Sequence, residues 1–234
     1  MDRIEYIRTK EKEYHDYCYN NHELFAEGTW LDKPVKPVMD ELHKFNNRNK
    51  LNILDLGCGV GRNSIPMAKT LRHREGKVVC VDILDSAINK LNEYCKKYDL
   101  LQYIDVVKSD IEIYEIKENN FDYIVAVSSL EHLSSKEMLF NKLNEMALGT
   151  KSGGSNCIVI NTNISEVDIT SNTLLDPMWE INLSSNEMLD LLKAAYENWH
   201  IETQDVLHGD FPIVRDNRPV SLKTDCLNFV ARKP

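Results

Sequence analysis

The residues with the clearest chemical meaning are the glycines of LNILDLGCGVGRNS, residues 51–64. Gly57, Gly59 and Gly61 occupy every second position directly after an apolar run that contains Asp55. Glycines between a strand and a helix let the backbone approach a ligand, and the free N–H groups of a helix N-terminus bind polar or anionic groups. The pattern predicts a nucleotide-type site, although glycines that only let helix and strand pack closely would give the same pattern.

Two acids extend this site. Asp82, with Ile83 beside it, follows the next apolar run, where a carboxylate can accept both hydroxyls of a ribose, although it could also cap a helix. Asp110 follows the third run, where it could meet an adenine amino group while Ile111 packs on the ring, although acids in solvated turns are common. The dinucleotide fingerprint GxGxxG requires glycine at the position of Arg62, so hydride transfer becomes the second choice of chemistry.

The elements that must position these residues alternate between strand and helix patterns. Short runs rich in valine and isoleucine predict buried strands at 52–56, 77–83, 103–107, 121–129 and 156–162. Segments of helical period lie at 63–72, 85–98 and 135–148. This alternation predicts an α/β fold with a doubly wound, Rossmann-like sheet. Two last runs, 200–207 and 225–232, predict an antiparallel strand pair joined by a long loop, 208–224, which makes seven strands.

Composition limits the partners. The chain has 234 residues, with 37 acidic and 28 basic side chains, so its surface is expected to repel nucleic acid. The apolar runs are too short to cross a membrane, and we expect a soluble, cytoplasmic protein. Six cysteines without a CxxC pair predict reduced thiols and no metal site. Oligomeric state is not predicted.

The motifs LDLGCGVGRNS, VVCVDIL, SDI and FDYIVAVSSLEHL together resemble those of class I S-adenosylmethionine-dependent methyltransferases over roughly residues 50–162. GCGVGRNS and the tail YENWHIETQDVL…NFVARK are similar to the tellurite-resistance methyltransferase family. The chain differs from that family in its long N-terminal extension, in SSLEHL and in the spacing of the loop before the last strand. The resemblance implies S-adenosylmethionine as cofactor and a small-molecule acceptor, with a tellurium or selenium oxyanion among the candidates.

The resemblance also suggests roles for residues near the donor. Arg62 and Asn63 are expected to bind the methionine carboxylate or support the loop; alternatively, Asn63 caps the helix and Arg62 faces solvent. Val127, at the end of the fourth strand, is expected to lie beneath the cofactor. His132 is a candidate base or a loop anchor. Trp30 either closes over the donor or packs the N-terminal segment onto the sheet.

The loop 208–224 matches in position a family loop that carries histidine and arginine near the acceptor. His208, Arg215 and Arg218 are therefore candidate catalytic residues: the guanidinium groups would hold an oxyanion while the imidazole removes a proton. The alternative is a solvated surface loop. We expect residues 1–48 to form a helical lid and 49–234 the methyltransferase domain. Other possibilities are a donor-binding sensor or scaffold without its own acceptor, and a nicotinamide-dependent dehydrogenase.

Overall fold

The computed structural model describes residues 2–215 and 218–234. The helices in this part of the chain are α1 Arg3–Asn21, α2 Lys36–His43, α3 Ser64–Lys69, α4 Asp85–Lys97, α5 Lys136–Gly149 and α6 Ser185–Ala195. The strands are β1 Ile53–Leu56, β2 Val78–Asp82, β3 Ile104–Lys108, β4 Phe121–Val127, β5 Thr150–Asp168, β6 Thr173–Leu175, β7 His200–Arg215 and β8 Arg218–Arg232.

All strands join one sheet in the order β3-β2-β1-β4-β5-β8-β7, with β6 paired to β5. β1 to β5 run parallel to one another, and β8 runs antiparallel between β5 and β7. The predicted doubly wound α/β fold with an antiparallel last strand pair is confirmed. The three-residue strand β6 was not predicted, so the described sheet has eight strands and not seven.

Helices cover both faces of the sheet, and each face has its own apolar core. Ile53 of β1 belongs to the core that includes buried residues of α2, α3 and α4. Leu54 and Leu56 belong to the second core, beneath α5 and α6. Successive strand side chains point to opposite faces, so a strand covered on both sides must be apolar throughout. This explains why the strands read as continuous apolar runs.

The long loop predicted at 208–224 is wrong, because the described residues there, 208–215 and 218–224, lie in the paired strands β7 and β8. Gly209 and Pro212 made the sequence look like a loop. β7 is the last strand of the sheet, and proline is tolerated on an edge strand. β5 extends to Asp168, and the first residues of β8 pair with the end of β5, with Val220 opposite Asp168. Pairing with the long strand β5 therefore decides the conformation of β8, although the local residues favour a turn.

The N-terminal residues pack onto the first core. α1 begins at an Asp2 cap, whose side chain accepts a hydrogen bond from the Glu5 N–H. Farther along, Val38, Leu42 and Phe45 are fully buried in the core that contains β1. Cys18, Tyr19 and Leu24 belong to the same core, so the N-terminal residues are joined to the sheet by apolar burial from the end of α1 onward.

Candidate functional site

The candidate site lies where the strand order reverses, since β1 has β2 on one side and β4 on the other. In open α/β sheets such a reversal leaves a crevice outside the carboxyl ends of the strands. The glycine loop, residues 57–61, follows β1 at this edge, and β2, β3 and β4 end beside it. The fold therefore brings the predicted acids and glycines to one edge of the sheet.

The glycine loop fits tightly between neighbouring elements. Gly57, Gly59 and Gly61 have φ angles of 74°, 52° and 93°, a region that other residues rarely adopt. A Cβ on Gly57 would lie 2.3 Å from the Cβ of Ser129, and one on Gly59 would lie 3.0 Å from the hydroxyl of Tyr19. Side chains at positions 57 and 59 would therefore collide with Ser129 and Tyr19.

Asp82 ends β2 and reaches the glycine loop. Its Oδ2 accepts a hydrogen bond of 2.8 Å from the Gly59 N–H, and its Oδ1 accepts one of 2.9 Å from the Leu84 N–H. Burial raises the pKa of Asp82, and these backbone bonds oppose the shift. Because each carboxylate oxygen has a second lone pair, both ribose hydroxyls can still be accepted. Ile83 is exposed next to it.

Asp55 lies beneath the loop and not at its surface. It is 1% exposed, and its carboxylate accepts a 2.5 Å hydrogen bond from the hydroxyl of Ser64 in α3. Burial raises the pKa of Asp55 to about 7, and the charge of Asp82 acts in the same direction. Asp55 therefore ties β1 to the helix that follows the glycines.

Asp110 follows β3 and contacts both its own turn and α1. Its Oδ1 accepts a 2.9 Å hydrogen bond from the Glu112 N–H, and its Oδ2 lies 3.3 Å from Nη1 of Arg8. Ile111 is 9% exposed beside it. An adenine amino group that binds Asp110 would either bind alongside the Arg8 guanidinium or displace it from the carboxylate.

Arg62 and Asn63 hold the N-terminal segment onto the glycine loop. Arg62 Nε donates a 2.7 Å hydrogen bond to the carbonyl of Lys33, and its guanidinium lies 6.0 Å from the ring centre of Trp30. Asn63 Oδ1 accepts a 2.9 Å hydrogen bond from the Val35 N–H, and the Asn63 side chain makes no capping bond to α3. Both side chains therefore act here as loop supports.

Sequence reasoning missed a stripe of side chains on α1. Arg8, Glu11, His15 and Tyr19 recur every three or four residues, a spacing that places them on one helix face. The His15 ring stacks on Tyr19 with centroids 5.4 Å apart and meets Trp30 edge-on at 5.9 Å, while its Nε2 lies 3.4 Å from Glu11. Trp30 is 40% exposed. The spacing of the stripe was a signal available in the sequence.

The end of β4 combines strain with buried polar groups. Val127 is the last strand residue, and Ser128 has a φ of 48°, which is costly for a residue other than glycine. The Ser129 hydroxyl donates a 2.8 Å hydrogen bond to the carbonyl of Leu56, which joins the ends of β4 and β1. A strained backbone at this edge is typical of a ligand-binding segment.

His132 is held by Glu180 and Trp179, which sequence reasoning missed. Its Nδ1 lies 2.9 Å from Glu180 Oε2, and its ring stacks on Trp179 with centroids 5.1 Å apart. Burial lowers the pKa of His132, but the Glu180 bond and the charges of Glu11 and Glu131 raise it to about 9. His132 therefore holds its proton more tightly than a free histidine, which disfavours the role of base, and its catalytic role stays a prediction.

The structure does not bring His208, Arg215 and Arg218 together. His208 and Arg215 lie on β7 about 23 Å apart and on opposite faces, since each strand residue advances about 3.3 Å. The His208 side chain is 83% exposed and pairs with Asp225. Arg215 pairs at 2.9 Å with Glu166, and Arg218 is exposed. The predicted three-residue acceptor site is not assembled.

The residues at the crevice fit S-adenosylmethionine. The glycine loop packs with its backbone close to neighbouring elements, and acids stand at the end of β2 and just after β3 for a ribose and an adenine. α1 lies over the same edge, with Arg8 at Asp110 and Tyr19 at Gly59. The donor would therefore lie between the sheet edge and α1.

Residues 53–154 match a protein family described as a methyltransferase domain. Among curated proteins, sterol 24-C-methyltransferase from Candida albicans is 29% identical over 43% of this chain, and the match spans 26% of that protein. Release factor glutamine methyltransferase from Clostridium botulinum is 32% identical over 42% of this chain and 35% of its own length. The chain thus spans roughly a quarter to a third of these relatives.

Solved structures share the fold over most of the chain. TehB from Haemophilus influenzae matches with a TM-score of 0.63 and 24% identity, covering 94% of this chain and 67% of that one. The [4+2]-cyclase SpnF matches with a TM-score of 0.58 and 15% identity, covering 84% of this chain and 80% of its own. None of the described helices has the length and apolarity that a membrane span requires. Since a cyclase shares the fold, the fold alone does not select the reaction.

Proposed function

We propose that this protein is an S-adenosylmethionine-dependent methyltransferase acting on a small molecule, because residues 53–154 match a family described as a methyltransferase domain. The observation that carries the proposal is the contact between Asp82 and the Gly59 N–H, which sets a ribose-accepting carboxylate against a glycine loop that admits no side chain. The positive φ angles and the match over residues 53–154 support the same assignment.

The sulfonium of bound S-adenosylmethionine supplies an electrophilic methyl group, so the protein mainly has to align a nucleophile and exclude water. Asp82 would hold the ribose, and Asp110 with Ile111 the adenine. The glycine loop and Val127 would line the methionine part. Tyr19 and Trp30 would cover it, because α1 and the segment after it already lie over the glycines.

The N-terminal residues serve, in this proposal, as the lid over the donor. Arg62 and Asn63 hold residues 33–35 against the glycine loop, and Arg8 spans from α1 to Asp110. Donor entry would require α1 to move while the segment around α2 stays buried. A cytoplasmic location and the absence of nucleic-acid partners are also proposed, supported by six free cysteines and an excess of acidic residues.

Asp82→Ala tests the proposal. Loss of the paired ribose hydrogen bonds should weaken binding of S-adenosylmethionine by about 1.5 to 3 kcal/mol, the range for bonds to a charged group. Calorimetry with wild type and variant measures this loss, and Asp105→Ala, at an exposed acid of β3, is the control.

In wild type, thermal shift should favour S-adenosylmethionine over nicotinamide dinucleotides, and S-adenosylhomocysteine should form with an acceptor. Tighter dinucleotide binding, or donor binding without any turnover, would contradict the proposed activity.

The resemblance suggested a tellurium or selenium oxyanion as acceptor, held by Arg215 and Arg218 beside His208. In the structure Arg215 already pairs with Glu166, which is 1% exposed. Arg215→Ala should therefore lower the free energy of unfolding by about 3 kcal/mol, the low end of the range for breaking a buried pair, because it leaves a buried carboxylate unpaired while Arg215 itself is partly exposed. His208→Ala should lose only about 0 to 1 kcal/mol and leave turnover unchanged, since its pair is exposed. Urea unfolding and turnover of both variants measure this, and a tenfold loss of turnover in His208→Ala would restore the role suggested by the sequence.

A further inference from the structure

Three cations that could bind an anionic acceptor, His132, Arg215 and Arg8, are already paired with carboxylates. His132 contacts Glu180 at 2.9 Å, and Arg215 contacts Glu166 at 2.9 Å. Arg8 lies 3.6 Å from Glu180 and 3.3 Å from Asp110. An oxyanion could displace Glu166 from Arg215 only by leaving that buried carboxylate without its ion pair, which is costly. This arrangement disfavours an anionic acceptor.

Glu131 offers the opposite chemistry. Its Oε1 accepts hydrogen bonds from the Asn161 backbone N–H at 3.2 Å and from Asn161 Nδ2 at 2.7 Å. Its Oε2 is buried without a hydrogen-bond partner among residues 2–215 and 218–234, and the residue is 1% exposed. A buried carboxylate oxygen without a partner is rare and calls for a donor that the protein does not supply.

The position of Glu131 is suited to an acceptor substrate. It follows the strained Ser128 by three residues, and Asn161 Nδ2 also lies 3.5 Å from the Ser128 hydroxyl. The carboxyl group therefore stands at the end of β4, beside the proposed methionine part of the donor. Glu11, which acts on the pKa of His132 together with Glu131, adds a further negative charge on the α1 side.

We propose that the methyl acceptor is an amine and that Oε2 of Glu131 accepts a hydrogen bond from its nitrogen. This inference rests on the proposed methyl transfer and names its substrate class. An ammonium group would give the orphan oxygen its donor and offset the excess of carboxylates. No existing ion pair would have to break.

The transfer balances with Glu131 as the proton acceptor. The bound ammonium gives one proton to the Glu131 carboxylate, and the freed nitrogen lone pair forms the bond to the methyl carbon. The carbon–sulfur bond breaks with its electron pair on sulfur, so the positive charge passes to the methylated nitrogen. Burial raises the pKa of Glu131, while His132 and Asn161 oppose the shift, so the carboxylate is a better base than an exposed glutamate.

The test uses the full chain with S-adenosylhomocysteine bound and probes that differ only in one group: benzylamine, benzyl alcohol and benzoate, with ethylamine, ethanol and acetate as a smaller set and selenite as an inorganic oxyanion. Thermal shift should show saturable binding of an amine and not of its alcohol or carboxylate partner. Glu131→Gln should weaken amine binding at least about tenfold, which corresponds to about 1.4 kcal/mol, with the affinity for S-adenosylhomocysteine unchanged. Glu41→Gln, at an equally buried glutamate bound by Ser155 and Arg232, should leave the amine affinity unchanged.

Methylation with labelled S-adenosylmethionine should then give an N-methyl product from the amine that binds. Binding of carboxylates or selenite in preference to both amines would overturn the inference, and that result needs no variant. A Glu131→Gln variant that loses S-adenosylhomocysteine but keeps the amine would assign Glu131 to the donor and overturn it equally. Failure of wild type to bind S-adenosylhomocysteine at all would instead overturn the proposed function.

Discussion

Gly59→Val should lower the affinity for S-adenosylmethionine at least about 100-fold, which corresponds to about 2.7 kcal/mol. The valine Cβ would start 3.0 Å from the Tyr19 hydroxyl, and its methyl groups would fill the space in which the donor approaches the backbone. The substitution also places a branched residue at a φ of 52°, which adds a backbone cost of about 1 to 2 kcal/mol. Calorimetric titration measures the affinity, and urea unfolding measures the backbone cost.

Gly28→Val is the matched control. Gly28 has a φ of 76°, so valine there meets a similar backbone cost, but a Cβ at this position has no atom within 4 Å. We expect both variants to show the backbone cost, Gly59→Val to lose further stability by crowding Tyr19, and only Gly59→Val to lose the donor. Wild-type affinity in Gly59→Val would remove the glycine loop from the donor site. Equal loss of affinity in both variants would attribute the effect to strain in the N-terminal segment.

The parts of the fold that the sequence predicted are those set by local patterns. β1, β2 and β4 are short, largely apolar runs because both faces of each strand are covered, and that property is visible without any partner. The glycine loop and Asp82 were predicted together because β1 and β2 are neighbours and their carboxyl ends meet. Their contact at 2.8 Å follows from this geometry.

The parts that the sequence did not predict depend on partners far away in the chain. His132 is 48 residues from Glu180, and Arg215 is 49 residues from Glu166. The residues next to Glu180 and Glu166 in the sequence do not indicate that either pairs with a partly buried cation. The long hairpin was missed for the same reason, because β8 pairs with the distant strand β5 as far as Val220, and its own turn residues do not reveal this pairing. The acceptor site was therefore predicted in a loop, whereas residues 208–215 and 218–224 lie in strands.

The second large effect concerns pH and the pair of His132 with Glu180. The pKa of His132 is raised from 6.5 to about 9 in the folded protein, so the folded state binds this proton more tightly than the unfolded chain. The resulting stability is fully present below pH 6.5 and is lost as the pH rises through about 9. A shift of this size corresponds to about 3 kcal/mol. Wild type should lose this stability between pH 6 and 9.5, as measured by urea unfolding.

Glu180→Gln separates this contribution from the other charges. Glutamine keeps the shape but removes the charge that holds the proton on His132, so wild type should exceed the variant most at pH 6 and least at pH 9.5. Part of the difference should remain at high pH, because Arg8 also lies 3.6 Å from Glu180 and stays charged. Asp176→Asn, which breaks an exposed pair with Arg3 in the same segment, should cost little at either pH. A difference between wild type and Glu180→Gln that is constant from pH 6 to 9.5 would mean that His132 is neutral in the folded protein, and it would return His132 to the role of a base.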